Sequence, residues 1–318
     1  MSFATDVKNE LARIPAENEC CQMAELTALM RMGGTILISG RGYPGINFKT
    51  ENPAVARKVL TLIKRSFSLR TEVLVSRGRR LKKRIAYVIK VVPAPLVSEL
   101  LSQLGLLQGE HLNVASDRSL LRRPCCRRSY LRGAFLGGGS VNKPEGNYHL
   151  ELVTENSNFA ETLVWAMKSF SLTARMTDRK NETIVYLKDG DAITTFLQVI
   201  GAHDALLQFE NIRVVKDMRN QVNRLVNCET ANLQKTVNAS VRQIEKIRRI
   251  VQEKGLDTLP KTLREAAEVR LSYPEATLQE LVDLLDGRIG KSGMNHRLRK
   301  LEQIADEMEA EGNNGPVS

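Results

Sequence analysis

Apolar residues recur at helical spacing in Val55, Val59, Leu62 and Ile63, and again in Phe159, Leu163, Ala166 and Met167. Each set predicts an amphipathic helix. Upstream of each lies a stretch broken by turn-forming residues: 35–50, with Gly40, Gly42, Pro44 and Gly45, and 140–154, with Asn142, Pro144 and Gly146. Each predicts a pair of strands joined by a turn. Downstream of each helix, alternation along Ile85, Tyr87, Ile89 and Val91, and along Ile184 and Tyr186, predicts a second hairpin with those residues on one face. Helices over 21–32 and 126–137 precede the two series and end at glycines, which accept the positive φ that stops a helix. A short helix closes each series.

The two series are copies of one another. Cys20-Cys21, Leu26 and Gly33-Gly34-Thr35-Ile36 return as Cys125-Cys126, Leu131 and Gly138-Gly139-Ser140-Val141 at an offset of 105. Thr50-Glu51-Asn52 returns as Thr154-Glu155-Asn156, and Phe67-Ser68-Leu69 as Phe170-Ser171-Leu172. Leu100-Leu101 and Gly105 correspond to Phe196-Leu197 and Gly201, the offset having fallen to 96. The expectation is an α+β fold: an αββαββα unit present twice, about 20–105 and 125–201, closing over one core with a pseudo-twofold axis inside a domain 1–212.

Turn signals then cease. Over 213–254, Met218, Val222, Leu225, Leu233, Val237, Val241, Ile244, Ile250 and Val251 keep helical spacing, which predicts one or two linking helices. Asn220, Asn223 and Asn227 share a face, suited to capping and solvation or to a nucleic acid backbone. From 255 to 318 short helices are expected, forming an all-α domain. Thr277 and Glu280 make a capping-box pair ahead of Leu278, Leu281, Val282 and Leu285. A turn at 286–290 follows, and Ser292 is expected to cap a second helix anchored by Met294, Leu298, Leu301, Ala305 and Met308. The opposite face carries Ser292, His296, Arg299 and Gln303, flanked by Asn295 and Lys300. Two helices joined in this way, from Thr277 to Met308, predict a helix-turn-helix. Its DNA-contacting residues are expected to be Lys291, Ser292, Asn295, His296, Arg297, Arg299 and Lys300, all donors to phosphates or base edges. Glu302, Asp306, Glu307, Glu309 and Glu311 would repel DNA and confine contact to the first half of that helix.

Charge agrees with this. The 318 residues contain 47 Lys plus Arg against 36 Asp plus Glu, a formal charge of +11. Together with the absence of a long uncharged apolar run, that excess favours double-stranded DNA over a membrane, and a cytoplasmic, nucleoid-associated location. Arg77, Arg79, Arg80, Lys82, Lys83 and Arg84 fall in one hairpin turn and are candidate DNA-backbone contacts. A further cluster, Arg118, Arg122, Arg123, Arg127, Arg128 and Arg132, joins the repeats and could serve the same surface. The five cysteines, Cys20, Cys21, Cys125, Cys126 and Cys228, fit reduced thiols. Adjacent cysteines lack the two-residue gap expected when both bind one ion, so neither metal nor cofactor is expected. The four histidines are scattered, and Gly137-Gly138-Gly139 ends a helix where a phosphate loop would begin one.

The segment Tyr130 to Ser140 resembles the signature helix of the LAGLIDADG homing endonucleases. In that family the resemblance implies two such helices packed at the domain centre, each ending in a metal-binding carboxylate. Here Gly33 and Gly138 occupy those positions, so a catalytically dead scaffold is expected, with no catalytic residues and no enzyme activity. Met32 also replaces a small residue, which suggests a looser helix contact in the first copy. With Asn223-Arg224 to Lys235 and the decapeptide Lys291 to Lys300, the whole chain resembles the WhiA family of bacterial regulators. That resemblance implies a DNA-binding transcriptional regulator concerned with cell division, chromosome segregation and, in spore formers, sporulation. Its LAGLIDADG-like domain would be available to other transcription or division proteins. The alternative is an active, metal-dependent endonuclease of the LAGLIDADG type.

Overall fold

The computed structural model describes residues 2–16, 18–38, 42–77, 85–109, 111–113 and 118–313. The chain divides into two compact units, Met1–Asp217 and Met218–Ser318. In the first, α1 (Phe3–Arg13) precedes the first copy of the repeat: α2 (Glu19–Gly33), β1 (Gly34–Ile38), β2 (Pro44–Thr50), α3 (Pro53–Ser66), β3 (Thr71–Arg77), β4 (Ile85–Val91) and α4 (Pro95–Gln103). A small ladder of β5 (Leu107–Gln108) and β6 (His111–Leu112) leads to the second copy: α5 (Pro124–Gly138), β7 (Gly139–Val141), β8 (Leu150–Thr154), α6 (Ser157–Lys168), β9 (Arg175–Arg179), β10 (Glu182–Leu187) and α7 (Gly190–Ile200). The sheets have the same antiparallel order, β1-β2-β4-β3 and β7-β8-β10-β9, so the predicted duplication is present in three dimensions.

Local chemistry explains several of the repeated residues. In Thr50-Glu51-Asn52 the threonine hydroxyl accepts from the Asn52 N–H at 3.2 Å, and the Asn52 side chain caps α3 by accepting from Ala54 and Val55. Thr154 and Asn156 do the same for α6, with Asn156 accepting from Phe159 at 3.0 Å. The motif is therefore a helix start, which leaves the intervening glutamate outside the cap. Gly105 and Gly201 take φ of 65° and 90° just beyond α4 and α7, the left-handed stop that glycine favours.

Helices α2 and α5 form the centre of this unit, with residues 23–30 and 129–131 buried. The sheets cover them through Phe48, Ile89 and Val91 from one copy and Leu152, Val185 and Leu187 from the other. The second hairpin departs from expectation. Val185, not Ile184, lies opposite Leu152, so Val185 and Leu187 face the core and Tyr186 stacks on His149 at 5.9 Å. With a side-chain period of two, a one-residue error in register exchanges the faces.

A single helix, α8 (His203–Glu253), forms the linker, within the expectation of one or two, and begins ten residues earlier than the linker read from the sequence. The Glu10 carboxylate of α1 accepts from the N–H groups of Asp204 and Ala205 at 2.8 and 3.0 Å and caps its start. Asn220, Asn223 and Asn227 are exposed within this continuous helix, so none of them caps it. Most of its apolar pattern is also exposed: Met218, Val222, Leu225, Leu233, Val237 and Val241, whereas Ile244, Ile247 and Ile250 are buried.

The second unit completes the all-α part with α9 (Lys261–Ser272), α10 (Leu278–Asp283) and α11 (Lys291–Asn313). Its core joins Ile247 and Ile250 to Ala266, Ala267, Leu281, Val282, Met294, Leu298, Leu301, Ala305 and Met308.

Candidate nucleic-acid interface

The capping box at α10 is complete: Glu280 N–H donates to the Thr277 hydroxyl at 3.3 Å, and Thr277 N–H donates to the Glu280 carboxylate at 2.7 Å. The bonds that the Thr277 N–H and hydroxyl make to the Glu280 carboxylate hold it below its usual pKa. Asp286 and Gly287 then adopt φ of 57° and 65°, and the Gly287 N–H returns to the Val282 carbonyl at 3.2 Å. The turn that separates the helices thus spans 284–290. Helix α11 begins at Lys291, so Ser292 lies in its first turn and is not the cap expected from the sequence.

The anchor residues of α11 fall as predicted, with Met294, Leu298 and Leu301 fully buried. Lys291, Ser292, His296, Arg299 and Lys300 are exposed. Asn295 and Arg297 are half-buried, and they differ in role. Arg297 donates to the Thr262 carbonyl at 3.3 Å and lies 3.9 Å from the Glu265 carboxylate, so it ties α11 to α9. Asn295 lines a cleft of ≈ 510 Å³ with Lys291, Arg299 and Glu302 from α11 and Lys235, Thr236, Arg242 and Gln243 from α8. Neither Lys235, which in the sequence only closes a segment of the family resemblance, nor Arg242 is expected there from the sequence, because their adjacency to α11 depends on how α8 packs.

The acidic half of α11 is largely engaged within the unit. Glu302 meets Arg242 at 3.1 Å, Asp306 meets Lys246 at 2.5 Å and Glu309 meets Arg249 at 3.1 Å. These pairs draw the carboxylates toward α8 and leave the start of α11 with Lys291, His296, Arg299 and Lys300 and no acid in its first turn. Cations at a helix N-terminus oppose the macrodipole, a local cost that suits an anionic ligand. Behind the face, the buried Arg270 donates to the Ala276 carbonyl at 2.7 Å, and Ser240 donates to the Pro274 carbonyl. Burial lowers the Arg270 pKa from its ordinary value.

Of the basic hairpin turn, Arg77 ends β3, and Arg79, Arg80, Lys82, Lys83 and Arg84 lie outside the described residues. In the other arginine cluster Arg118, Arg122, Arg123 and Arg128 are exposed and Arg127 and Arg132 half-buried, and several pack against neighbouring side chains. Arg118 and Arg127 stack on Trp165 at 5.0 and 5.6 Å, and Arg128 on Phe170 at 5.6 Å. Arg132 joins Lys58 around the buried Glu25 carboxylate at 3.5 and 3.2 Å. Burial raises the Glu25 pKa against the pull of both cations, and it lowers that of Lys58.

At the C-terminal ends of α2 and α5 lies a cleft of ≈ 1040 Å³, lined by Lys8, Arg31, Met32, Gly33, Glu51, Gly137, Glu155 and Glu182 among others. A Cβ at Gly138 would sit 2.8 Å from the Val153 carbonyl and 3.0 Å from Met32 Sδ, and one at Gly33 would sit 2.9 Å from the Phe48 ring. Neither position accepts a carboxylate side chain as the structure stands. Met32 does not loosen the helix contact: its Cβ lies 2.5 Å from where a Cβ on Gly137 would be, so it fills the notch that this glycine leaves. Gly133 is closer still, 2.4 Å from its would-be Cβ to the Glu25 carbonyl. Glu51 and Glu155, equivalent in the two repeats, both reach the cleft, an arrangement the sequence reading missed. The repeated Thr-Glu-Asn motif was the available signal. Burial lowers the Lys8 pKa to about 8.

At the opposite ends of the same helices, the sulfurs of Cys20, Cys21, Cys125 and Cys126 lie within 4.8 Å of one another. They are the one group of three or more metal-ligating side chains so arranged among the described residues. Adjacent Cys125 and Cys126 have their sulfurs 4.0 Å apart, so the spacing argument against a shared ion does not hold. Burial raises the pKa of Cys21 and of Cys126. At Cys125 burial also acts upward, but hydrogen bonds from Cys21, Cys126 and the Cys126 N–H outweigh it and lower the pKa.

Three family profiles match consecutive parts of the chain. The WhiA N-terminal LAGLIDADG-like domain matches residues 19–107, the WhiA LAGLIDADG-like domain 127–219 and the WhiA C-terminal HTH domain 222–305. A protein named probable cell division protein WhiA from Desulforamulus reducens is 50% identical over 310 residues, covering 97% of this chain and 96% of its own. A protein of the same name from Heliobacterium modesticaldum is 50% identical over 313 residues, covering 98% of each. Among solved structures, full-length WhiA from Thermotoga maritima superposes with a TM-score of 0.60 at 26% identity, over 96% of this chain and 99% of the other.

Proposed function

The chain belongs to the WhiA family, and from that premise we propose that it is a sequence-specific DNA-binding regulator of transcription acting in cell division. Chromosome segregation and, in a spore-forming host, sporulation are processes it would serve. The α10–α11 pair reads double-stranded DNA, and the duplicated unit is kept as a scaffold without nuclease activity. Close relatives carry the name of a probable cell division protein, and residues 222–305 match a helix-turn-helix profile. The observation that carries the reading is the start of α11, where an apolar anchor of Met294, Leu298 and Leu301 leaves Lys291, Ser292, His296, Arg299 and Lys300 on the outside. His296, Arg299 and the half-buried Asn295 have the donors to read base edges; Lys291, Ser292 and Lys300 fit phosphates. Arg297, held by Thr262 and Glu265, orients the helix. Arg77, with Arg79, Arg80, Lys82, Lys83 and Arg84, supplies backbone contacts. The protein works at the nucleoid, and no helix among the described residues is long and apolar enough to cross a membrane. Other transcription or division proteins are candidate partners for the duplicated unit.

The test uses a DNA fragment recovered by chromatin immunoprecipitation. His296→Ala with Arg299→Ala should weaken specific binding more than tenfold in a mobility-shift assay and leave nonspecific binding nearly unchanged. Unaltered specific affinity removes α11 as the reading helix.

A second reading, metal-dependent DNA cleavage, is favoured by the presence of Glu51 and Glu155 in one cleft. Supercoiled plasmid incubated with the protein and Mg²⁺ distinguishes the two. Nicking that Glu51→Gln and Glu155→Gln abolish would establish the nuclease, and no nicking above a mock preparation supports the scaffold.

A further inference from the structure

Both cysteine pairs occupy the first turn of a central helix, Cys20 and Cys21 in α2 and Cys125 and Cys126 in α5. The two helices come from different repeats, so four thiols separated by about a hundred residues of chain converge on one point. Cys21 and Cys126 are buried, and Cys20 and Cys125 are half-buried, which leaves a route from solvent to a site that is otherwise enclosed. We propose that these four cysteines bind a single zinc ion as a tetrathiolate centre that clamps the two repeats together. The proposal is independent of the reading of α11 and of the question of nuclease activity.

The geometry fits a mononuclear ion. With Zn–S bonds of about 2.3 Å, a tetrahedron has sulfur–sulfur edges of about 3.8 Å. The four sulfurs already lie within 4.8 Å of one another, with one adjacent pair at 4.0 Å, so small side-chain rotations close the coordination sphere. An iron–sulfur cube would hold its thiolates much farther apart. Four soft sulfur donors with no position left open suit a structural ion and exclude Mg²⁺ or Ca²⁺.

The surroundings favour thiolates once an ion is present. A zinc tetrathiolate carries a net charge of −2, and here it sits at two helix N-termini whose dipoles stabilise negative charge. The chain around the second pair is cationic, with Arg122, Arg123, Arg127 and Arg128 in immediate sequence. The Ser129 hydroxyl, one turn along α5 from Cys126, is held by Arg132 at 3.0 Å, an outer-layer contact of the kind that orients ligands. Thiols lose their protons to solvent as the ion binds, and no oxidant or reductant takes part.

The test is a cobalt titration of the reduced, metal-free full chain under anaerobic conditions. The expected result is a thiolate-to-cobalt charge-transfer band with the visible bands of tetrahedral cobalt, saturating at one equivalent and bleached by one equivalent of zinc. Cys20→Ser with Cys125→Ser, at the two half-buried positions, should weaken zinc binding more than tenfold, and Cys228→Ser should leave the titration unchanged. The wild-type spectrum stands even where the double variant fails to fold. Absence of the band in the wild type, its persistence in the double variant, or disulfides in protein purified without air would each overturn the proposal.

Discussion

Gly133→Ala offers the sharpest test of how the two repeats meet, because the expected sign depends on the packing. At an open helical position, exchanging glycine for alanine adds up to about 1 kcal/mol of stability through backbone entropy. At Gly133 the new methyl would lie 2.4 Å from the Glu25 carbonyl oxygen and 3.1 Å from Ala28 Cβ, where ordinary contact begins at 3.4 Å. The obstacle is backbone, so α2 and α5 must part by about 1 Å, enough to forfeit a quarter to a half of the dispersion energy of the atoms that separate. Overpacking of this severity costs about 3 kcal/mol, which leaves a net loss of about 2 kcal/mol once the propensity gain is subtracted. For a unit of this size that corresponds to a fall in Tm of roughly 4–8 °C. Differential scanning calorimetry of the full chain measures it on the transition of the Met1–Asp217 unit. Gly293→Ala, whose methyl would have nothing closer than 3.7 Å, is the control and should be neutral or stabilising. A Gly133→Ala protein as stable as the wild type would refute the close approach of the two helices.

Two other outcomes are expected. Lys8 has a folded pKa of about 8, below its unfolded value, so the folded state binds fewer protons between the two; its contribution is unfavourable at neutral pH and relieved as pH rises from about 8 to about 10, by on the order of 3 kcal/mol. Urea denaturation at pH 7 and pH 10 should therefore show a rise in stability for the wild type relative to Lys8→Met, and parallel pH profiles would contradict the burial of Lys8. Thr277→Ala breaks the capping box of α10 and should cost the Met218–Ser318 unit about 1 kcal/mol, read as a lower Tm for that transition alone.

The duplication was legible because both copies keep the same small vocabulary at fixed offsets, and the anchors of α11 because one buried stripe satisfies one helix. What escaped was set by contacts between distant segments. The face of β10 depends on its register with β8, which a short alternation of Ile184 and Tyr186 does not determine. Arg297 looks like any other cation of the decapeptide until α9 brings the Thr262 carbonyl and Glu265 beside it. Lys235 and Arg242 join the interface only because α8 passes alongside α11. A pseudo-twofold places the two cysteine pairs at one end of the central helices, but the convergence of all four sulfurs depends on side-chain directions in two first turns. Spacing rules drawn from single loops do not describe ligands delivered by two helices.

The Met32 side chain in the notch over Gly137 and Gly138 also limits what this scaffold can be turned into. An acid placed at residue 138 alone would run into the Val153 carbonyl at 2.8 Å and the methionine sulfur at 3.0 Å, so no single substitution seats a carboxylate there without a shift of its surroundings. Trimming residue 32 relieves only the sulfur contact and opens a void of its own, while the strand carbonyl stays where it is. The gap is closed from two sides, by a side chain that can be exchanged and a backbone that cannot. An engineer wishing to install an acid there would have to move the strand as well as replace the methionine.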